Sequence, residues 1–199
     1  MSRAPLTAVA AACALALPLC LAAAAPAGPG VEASLSHRLL VNGDSLAEGT
    51  RPYIGRDLRG WRVTQSTAVS RHASQGAAVM RAYGHSLPRV IHVSLGTNDD
   101  PRQVSSFRAA VHAVMDTAGP RRCVVWANIV RPPVAGASYS GYNHVLAQES
   151  EARGNLRILD WARMVRENPQ WLADDGVHVS ATGYEARAQA IARSVRLCR

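Results

Sequence analysis

The chain has 199 residues, 48% of them hydrophobic and 5% aromatic, with a formal net charge of +8. That length fits one domain with a sizeable core. Every basic residue is an arginine, but the arginines are scattered, Phe107 is the sole phenylalanine, and no basic run interleaves with aromatics, which argues against a nucleic-acid partner.

The N-terminal stretch stands apart. Arg3 is the only charge before Glu32, residues 6–25 are almost wholly apolar, and Ala25-Pro26-Ala27 offers a small-x-small cleavage site. Residues 1–27 therefore read as a secretory signal peptide. An uncleaved anchor is the alternative, since about 20 apolar residues can span a bilayer; Pro18 and the alanine bias favour cleavage. Residues 28–36 read as a linker and 37–199 as the folded domain. The mature chain is expected to be secreted or periplasmic, with no stable membrane insertion. Its arginine excess is read first as compositional bias, and secondly as attraction to an anionic envelope or polysaccharide.

The first strand is Arg38-Leu39-Leu40-Val41-Asn42, which stops at Gly43-Asp44-Ser45. Ala47 to Pro52 follows as a loop with helix-start character. Trp61 to Gln65 is the second strand, Ser66 to His72 a turn, and Ser74 the expected N-cap of a helix through Tyr83. Arg89 to Leu95 is the third strand and ends at Gly96-Thr97-Asn98-Asp99. A helix from about Gln103 to Ala118 carries Val104, Phe107, Val111, Val114 and Met115 at helical spacing. Cys123 to Asn128 is the fourth strand, followed by an irregular Arg131-Pro132-Pro133 segment, the best candidate for a substrate-facing loop. A helix around Val145, a fifth strand Leu156 to Asp160, the loop Asp174-Asp175-Gly176-Val177-His178 and a last helix capped by Ser180 complete the chain.

Five apolar strands alternating with helices imply an α/β fold with a parallel sheet covered on both faces. Loops that follow strands then share one edge of the sheet, where open α/β sheets bind ligands. Ser45, Asn98, Asp175 and His178 converge there although they are far apart in sequence. A serine needs an adjacent base to act as nucleophile. His178 can supply it, with Asp175, three residues away, better placed than Asp174 to hold the other ring nitrogen. Asn98 can donate to an oxyanion. Asp44 reads as a loop-holding residue, His92 as a core histidine, and Trp171 as a candidate wall of the substrate pocket. Cys123 opens a strand at the opposite edge and Cys198 ends a crossover helix at that same edge, so a Cys123–Cys198 disulfide is expected. No Cys/His cluster suggests a metal.

The blocks Gly43-Asp44-Ser45-Leu46, Gly96-Thr97-Asn98-Asp99 and Asp175-Gly176-Val177-His178, with a weaker one at Val69-Ser70-Arg71-His72, appear in the order seen in the SGNH hydrolases, the GDSL esterase/lipase family, and the chain resembles that family from residue 39 to 185. The resemblance implies a three-layer, flavodoxin-like α/β/α fold with strand order 2-1-3-4-5, and acyl-ester hydrolysis with no cofactor and no metal. It implies Ser45 as nucleophile, His178 as base and Asp175 as its partner. The oxyanion hole would comprise the Ser45 N–H, the Asn98 side chain and the second-block N–H. There Ser70 stands where the family has glycine, while Gly76 matches a second common glycine. The expected substrate is a short acyl ester, small or on carbohydrate. The alternatives are an acyltransferase acting on surface polysaccharide, a lipase or lysophospholipase, and, from another class, an inactive carbohydrate-binding module.

Overall fold

The structure is a computed structural model, described here for residues 37–198. The expected signal peptide and linker lie outside the described residues. Strands β1 (Arg38–Gly43), β2 (Arg62–Thr67), β3 (Val90–Ser94), β4 (Cys123–Ala127) and β5 (Leu156–Leu159) form one parallel sheet in the order β2-β1-β3-β4-β5. This is the order the sequence analysis expects.

Helices α2 (Ala73–Tyr83), α3 (Val104–Ala118) and α4 (Ser140–Ala152) cover one face, packing on Leu40, Ile91, Val93, Val124 and Trp126. Helices α1 (Ser45–Asp57), α5 (Trp161–Glu167) and α6 (Ala181–Arg196) cover the other, on Leu39, Val41, Val125 and Ala127. Successive residues of a strand point to opposite faces, so a continuous apolar run such as Leu39-Leu40-Val41 supplies both cores at once. No helix among the described residues is long and apolar enough to cross a membrane.

Two local readings need correction. Ala47 to Pro52 is not a loop: α1 begins at Ser45 and runs through Pro52 to Asp57. Leu46, Ala47, Thr50 and Ile54 form a buried stripe at helical spacing, and Pro52 sits on the exposed face, away from that stripe. Gly49 allows α1 to lie against α6, since a Cβ there would fall 2.1 Å from the Tyr184 ring. In α2 the N-cap is His72 rather than Ser74; the His72 N–H donates to Gln75 Oε1 at 2.8 Å, which begins the helix two residues earlier.

The last helix starts as expected at Ser180, whose hydroxyl accepts the Gly183 N–H. The Cys123–Cys198 disulfide is present, with Cα atoms 5.7 Å apart, at the amino edge of the sheet. Every candidate site residue sits at the other edge.

Candidate active site

Ser45 is the first residue of α1. Asp44 caps that helix, accepting the Leu46 N–H on Oδ1 at 3.0 Å and donating its own N–H to the Ser94 carbonyl at 3.0 Å. The chain therefore turns abruptly from β1 into α1 and presents Ser45 half-buried at the carboxyl edge, with its N–H among the unpaired donors of a helix start.

His178 comes from a loop folded back on itself. Ala173 and Ser180 donate N–H bonds to the carbonyls of His178 and Trp171 at 2.8 and 2.7 Å, and Gly176 makes the turn with φ +66°. Within it, Asp175 Oδ1 accepts the N–H groups of Val177 and His178, both at 2.9 Å, while Oδ2 lies 2.6 Å from His178 Nδ1. The hydrogen bond from His178, followed by those from the two backbone N–H groups, lowers the Asp175 pKa to about 2. An ionised carboxylate can only accept, so Nδ1 carries the proton. Nε2 is then left with a lone pair, 2.9 Å from Ser45 Oγ. Such an arrangement can accept a proton from the serine and stabilise the imidazolium that would result.

Asn98 arrives from the loop after β3. That loop is pinned by three side chains from the segment after β4 and from α4. Arg131 Nη1 and the Tyr139 hydroxyl donate to the Thr97 carbonyl at 2.5 and 3.2 Å, and the Tyr142 hydroxyl donates to the Asp100 carbonyl at 2.5 Å. The Asn98 amide itself makes only long contacts, 3.5 Å to Asp44 Oδ2 and 3.4 Å to the Arg71 carbonyl, so its N–H groups are weakly committed.

Ser45, Asn98, Asp175, Val177 and His178 together line an open cleft of about 330 Å³ whose far wall is Arg131-Pro132-Pro133-Val134. The expected substrate-facing loop is this wall. It leans on the histidine loop: a Cβ at Gly176 would fall 2.7 Å from Pro132 Cγ.

The remaining sequence-predicted residues lie as follows. Ser70 is exposed on the loop after β2, in the left-handed conformation at φ +60°, and its side chain is not part of the cleft lining. It adopts the backbone shape that glycine would take more easily. Trp171 does not line the cleft. It stacks on Trp161 with ring centroids 6.0 Å apart and packs against α6, because the loop that carries it folds toward the helix layer.

Sequence reasoning missed Arg187. It lies on the apolar stripe of α6 with Tyr184, Ala188 and Ile191, only 1% exposed, and donates to Ser94 Oγ beneath the Asp44 turn. An arginine at an otherwise apolar helical position was the available signal.

No protein-family model matches the sequence, and no curated protein matches it. Solved structures do. The C-terminal catalytic domain of Streptococcus pneumoniae peptidoglycan O-acetyltransferase A, with a methylsulfonyl adduct, is 18% identical over 81% of this chain and 90% of that one, with a TM-score of 0.64. A family 3 carbohydrate esterase from Talaromyces cellulolyticus is 19% identical over 81% and 97%, with a TM-score of 0.63. A member of the lipolytic G-D-S-L family from Veillonella parvula is 14% identical over 79% and 96%, with a TM-score of 0.62. In its strand order, its two helical layers and these likenesses, the chain has the three-layer α/β/α fold of the GDSL-type, or SGNH, esterases and acylhydrolases.

Proposed function

We propose that the chain is an exported serine esterase acting on short acyl esters, acetyl-type and carried on carbohydrate. The observation that carries this reading is Ser45 Oγ at 2.9 Å from His178 Nε2, with Nδ1 of the same ring on Asp175. In the reaction, Ser45 Oγ bonds to the ester carbonyl carbon as its proton passes to His178 Nε2. The tetrahedral intermediate collapses by breaking the carbon–oxygen bond to the alcohol, which leaves with that proton. Water, deprotonated by the same nitrogen, then releases the acid and restores Ser45. The Ser45 N–H, the Asn98 amide and the Ser70 N–H are the oxyanion donors in this reading, each worth about 3 kcal/mol of barrier.

The small, open cleft supports a short acyl group and counts against lipase or lysophospholipase action. The likeness to a carbohydrate esterase supports a sugar ester. The leader-like residues 1–27 and the Cys123–Cys198 bridge support export to a secreted or periplasmic location.

An assay of p-nitrophenyl esters of increasing acyl length, with wild type and Ser45→Ala, tests the reading. Activity that falls with chain length and vanishes in the variant is expected. No activity in wild type would favour the inactive carbohydrate-binding alternative. Acyl transfer is the second reading, favoured by the likeness to an O-acetyltransferase domain and by a cleft open enough for a hydroxyl acceptor. Product analysis with a sugar acceptor separates it from hydrolysis.

A further inference from the structure

The cleft holds an arginine that pairs with no carboxylate among the described residues. Arg131 lines it alongside Ser45 and His178. Among the described residues, most arginines near a carboxylate are paired with it: Arg51 with Glu48, Arg102 with Asp100, Arg108 and Arg153 with Glu149. Arg131 has no such partner. Its one hydrogen bond runs from Nη1 to the Thr97 carbonyl, which fixes the guanidinium and leaves its remaining N–H groups uncommitted. The other charge in the lining, Asp175, directs both its oxygens to His178 and two backbone N–H groups and makes no ion pair with Arg131.

The wall that carries Arg131 is stiff. Pro132 and Pro133 follow it, and Pro132 is braced on Gly176. A guanidinium anchored at one nitrogen and followed by two prolines has little freedom left to lose on binding, and its fork geometry matches a carboxylate or a phosphate.

Resting on the esterase reading, we propose that the site selects esters whose alcohol portion bears an anionic group, a carboxylate or a phosphate, near the scissile bond, and that Arg131 is the specificity-determining residue that receives it. With the acyl carbon at Ser45, the open cleft holds atoms from both sides of the scissile bond, and an anion on the alcohol side comes within reach of the Arg131 wall. The excess of arginine over acid in the whole chain reinforces the attraction.

The test compares kcat/KM for matched acetyl esters that differ only in a neutral, carboxylate or phosphate substituent on the alcohol, at low and high salt, for wild type, Arg131→Gln and Arg131→Lys. The expected result is a wild-type preference for one or both anionic esters of about tenfold, shrinking with salt. Arg131→Gln abolishes the preference and Arg131→Lys keeps part of it. The carboxylate and phosphate arms show which anion is favoured. Equal turnover of neutral and anionic esters by wild type would overturn the proposal. So would an Arg131→Gln variant that slows all three by the same factor, which is the signature of a role confined to holding Thr97.

Turnover of the neutral ester above the Ser45→Ala background reports separately on the esterase reading. Should that be absent, calorimetric titration of wild type and Arg131→Gln with inorganic phosphate and with acetate decides the anion site. Binding lost in the variant supports it, and no binding in wild type overturns it.

Discussion

Arg187 Nη2 donates to Ser94 Oγ at 2.9 Å, inside the protein and directly beneath the turn that presents Ser45. The Ser94 hydroxyl in turn lies 3.4 Å from Asp44 Oδ1, so a buried cation and a buried carboxylate communicate through one serine. The guanidinium also stacks on Trp161 at 4.6 Å. Burial raises the Asp44 pKa and the Arg187 charge opposes the rise; burial lowers the Arg187 pKa to about 10, partly offset by Asp44. His92, fully buried on the same sheet face, has its pKa lowered to about 3 by burial and then by Arg187, so it stays neutral.

Removing one partner of such a pair leaves the other buried and uncompensated. Arg187→Met is expected to destabilise the fold by about 3 kcal/mol or more. Adding Asp44→Asn should recover part of that loss. Urea denaturation of the two single variants and the double variant gives the coupling energy; strict additivity would dismiss the link through Ser94.

At the site, Ser45→Ala and His178→Ala are each expected to lower kcat by about 10³-fold or more in the ester assay. Asp175→Asn should cost less than in a buried triad, about 10²- to 10³-fold, because its side chain is 50% exposed and water screens its charge. An Asp175→Asn variant with wild-type kcat would remove the carboxylate from the mechanism.

Ser70 holds a left-handed backbone conformation that costs a non-glycine residue about 1 kcal/mol. Ser70→Gly is therefore expected to raise the thermal midpoint by a few degrees. Ser70→Val, β-branched at the same φ, should lower the midpoint and expression together.

Glu149 is buried between α3 and α4, where it accepts from Arg108 at 3.0 Å and from Arg153 at 3.1 Å, and lies 2.8 Å from His112. Burial pushes its carboxyl up, but the hydrogen bonds from His112, Arg153 and Arg108 outweigh that and hold it below its ordinary value of 4.5. A depressed folded pKa means stability that is present above pH 4.5 and lost as pH falls through the lower folded value. Acid unfolding followed by circular dichroism should thus be shallower below pH 4.5 in Glu149→Gln than in wild type, from a lower starting stability at pH 7.

The disulfide is the remaining test. Cys123→Ser with Cys198→Ser opens a loop with a sequence separation of 75 residues and is expected to cost up to about 4.5 kcal/mol in the chain-entropy picture. Because the bridge lies at the edge away from the cleft, KM should move less than the urea midpoint does.

The sheet was legible because its strands are apolar runs cut off by Gly, Asn and Asp, and because parallel connection leaves few topologies open. Ser45, Asn98, Asp175 and His178 could be read from the same rule, which sends every strand-to-helix loop to one edge. The start of α1 could not: Pro52 and Gly49 look like breakers in sequence, and only the fold shows Gly49 packed against Tyr184 and Pro52 on the exposed face. Trp171 misled because adjacency in sequence to the histidine loop does not specify which way a ring turns. Arg187 escaped because charge normally marks surface, whereas here an aromatic face and a serine hydroxyl receive it inside.

The first strand begins, and the last helix finishes, on the rim that carries the disulfide. A tether joined where β1 begins or where α6 finishes would therefore hold the domain by its back, with the cleft turned outward to whatever surface or polymer lies opposite. Attachment to a support or fusion to a second module through these ends would leave the groove's mouth unobstructed.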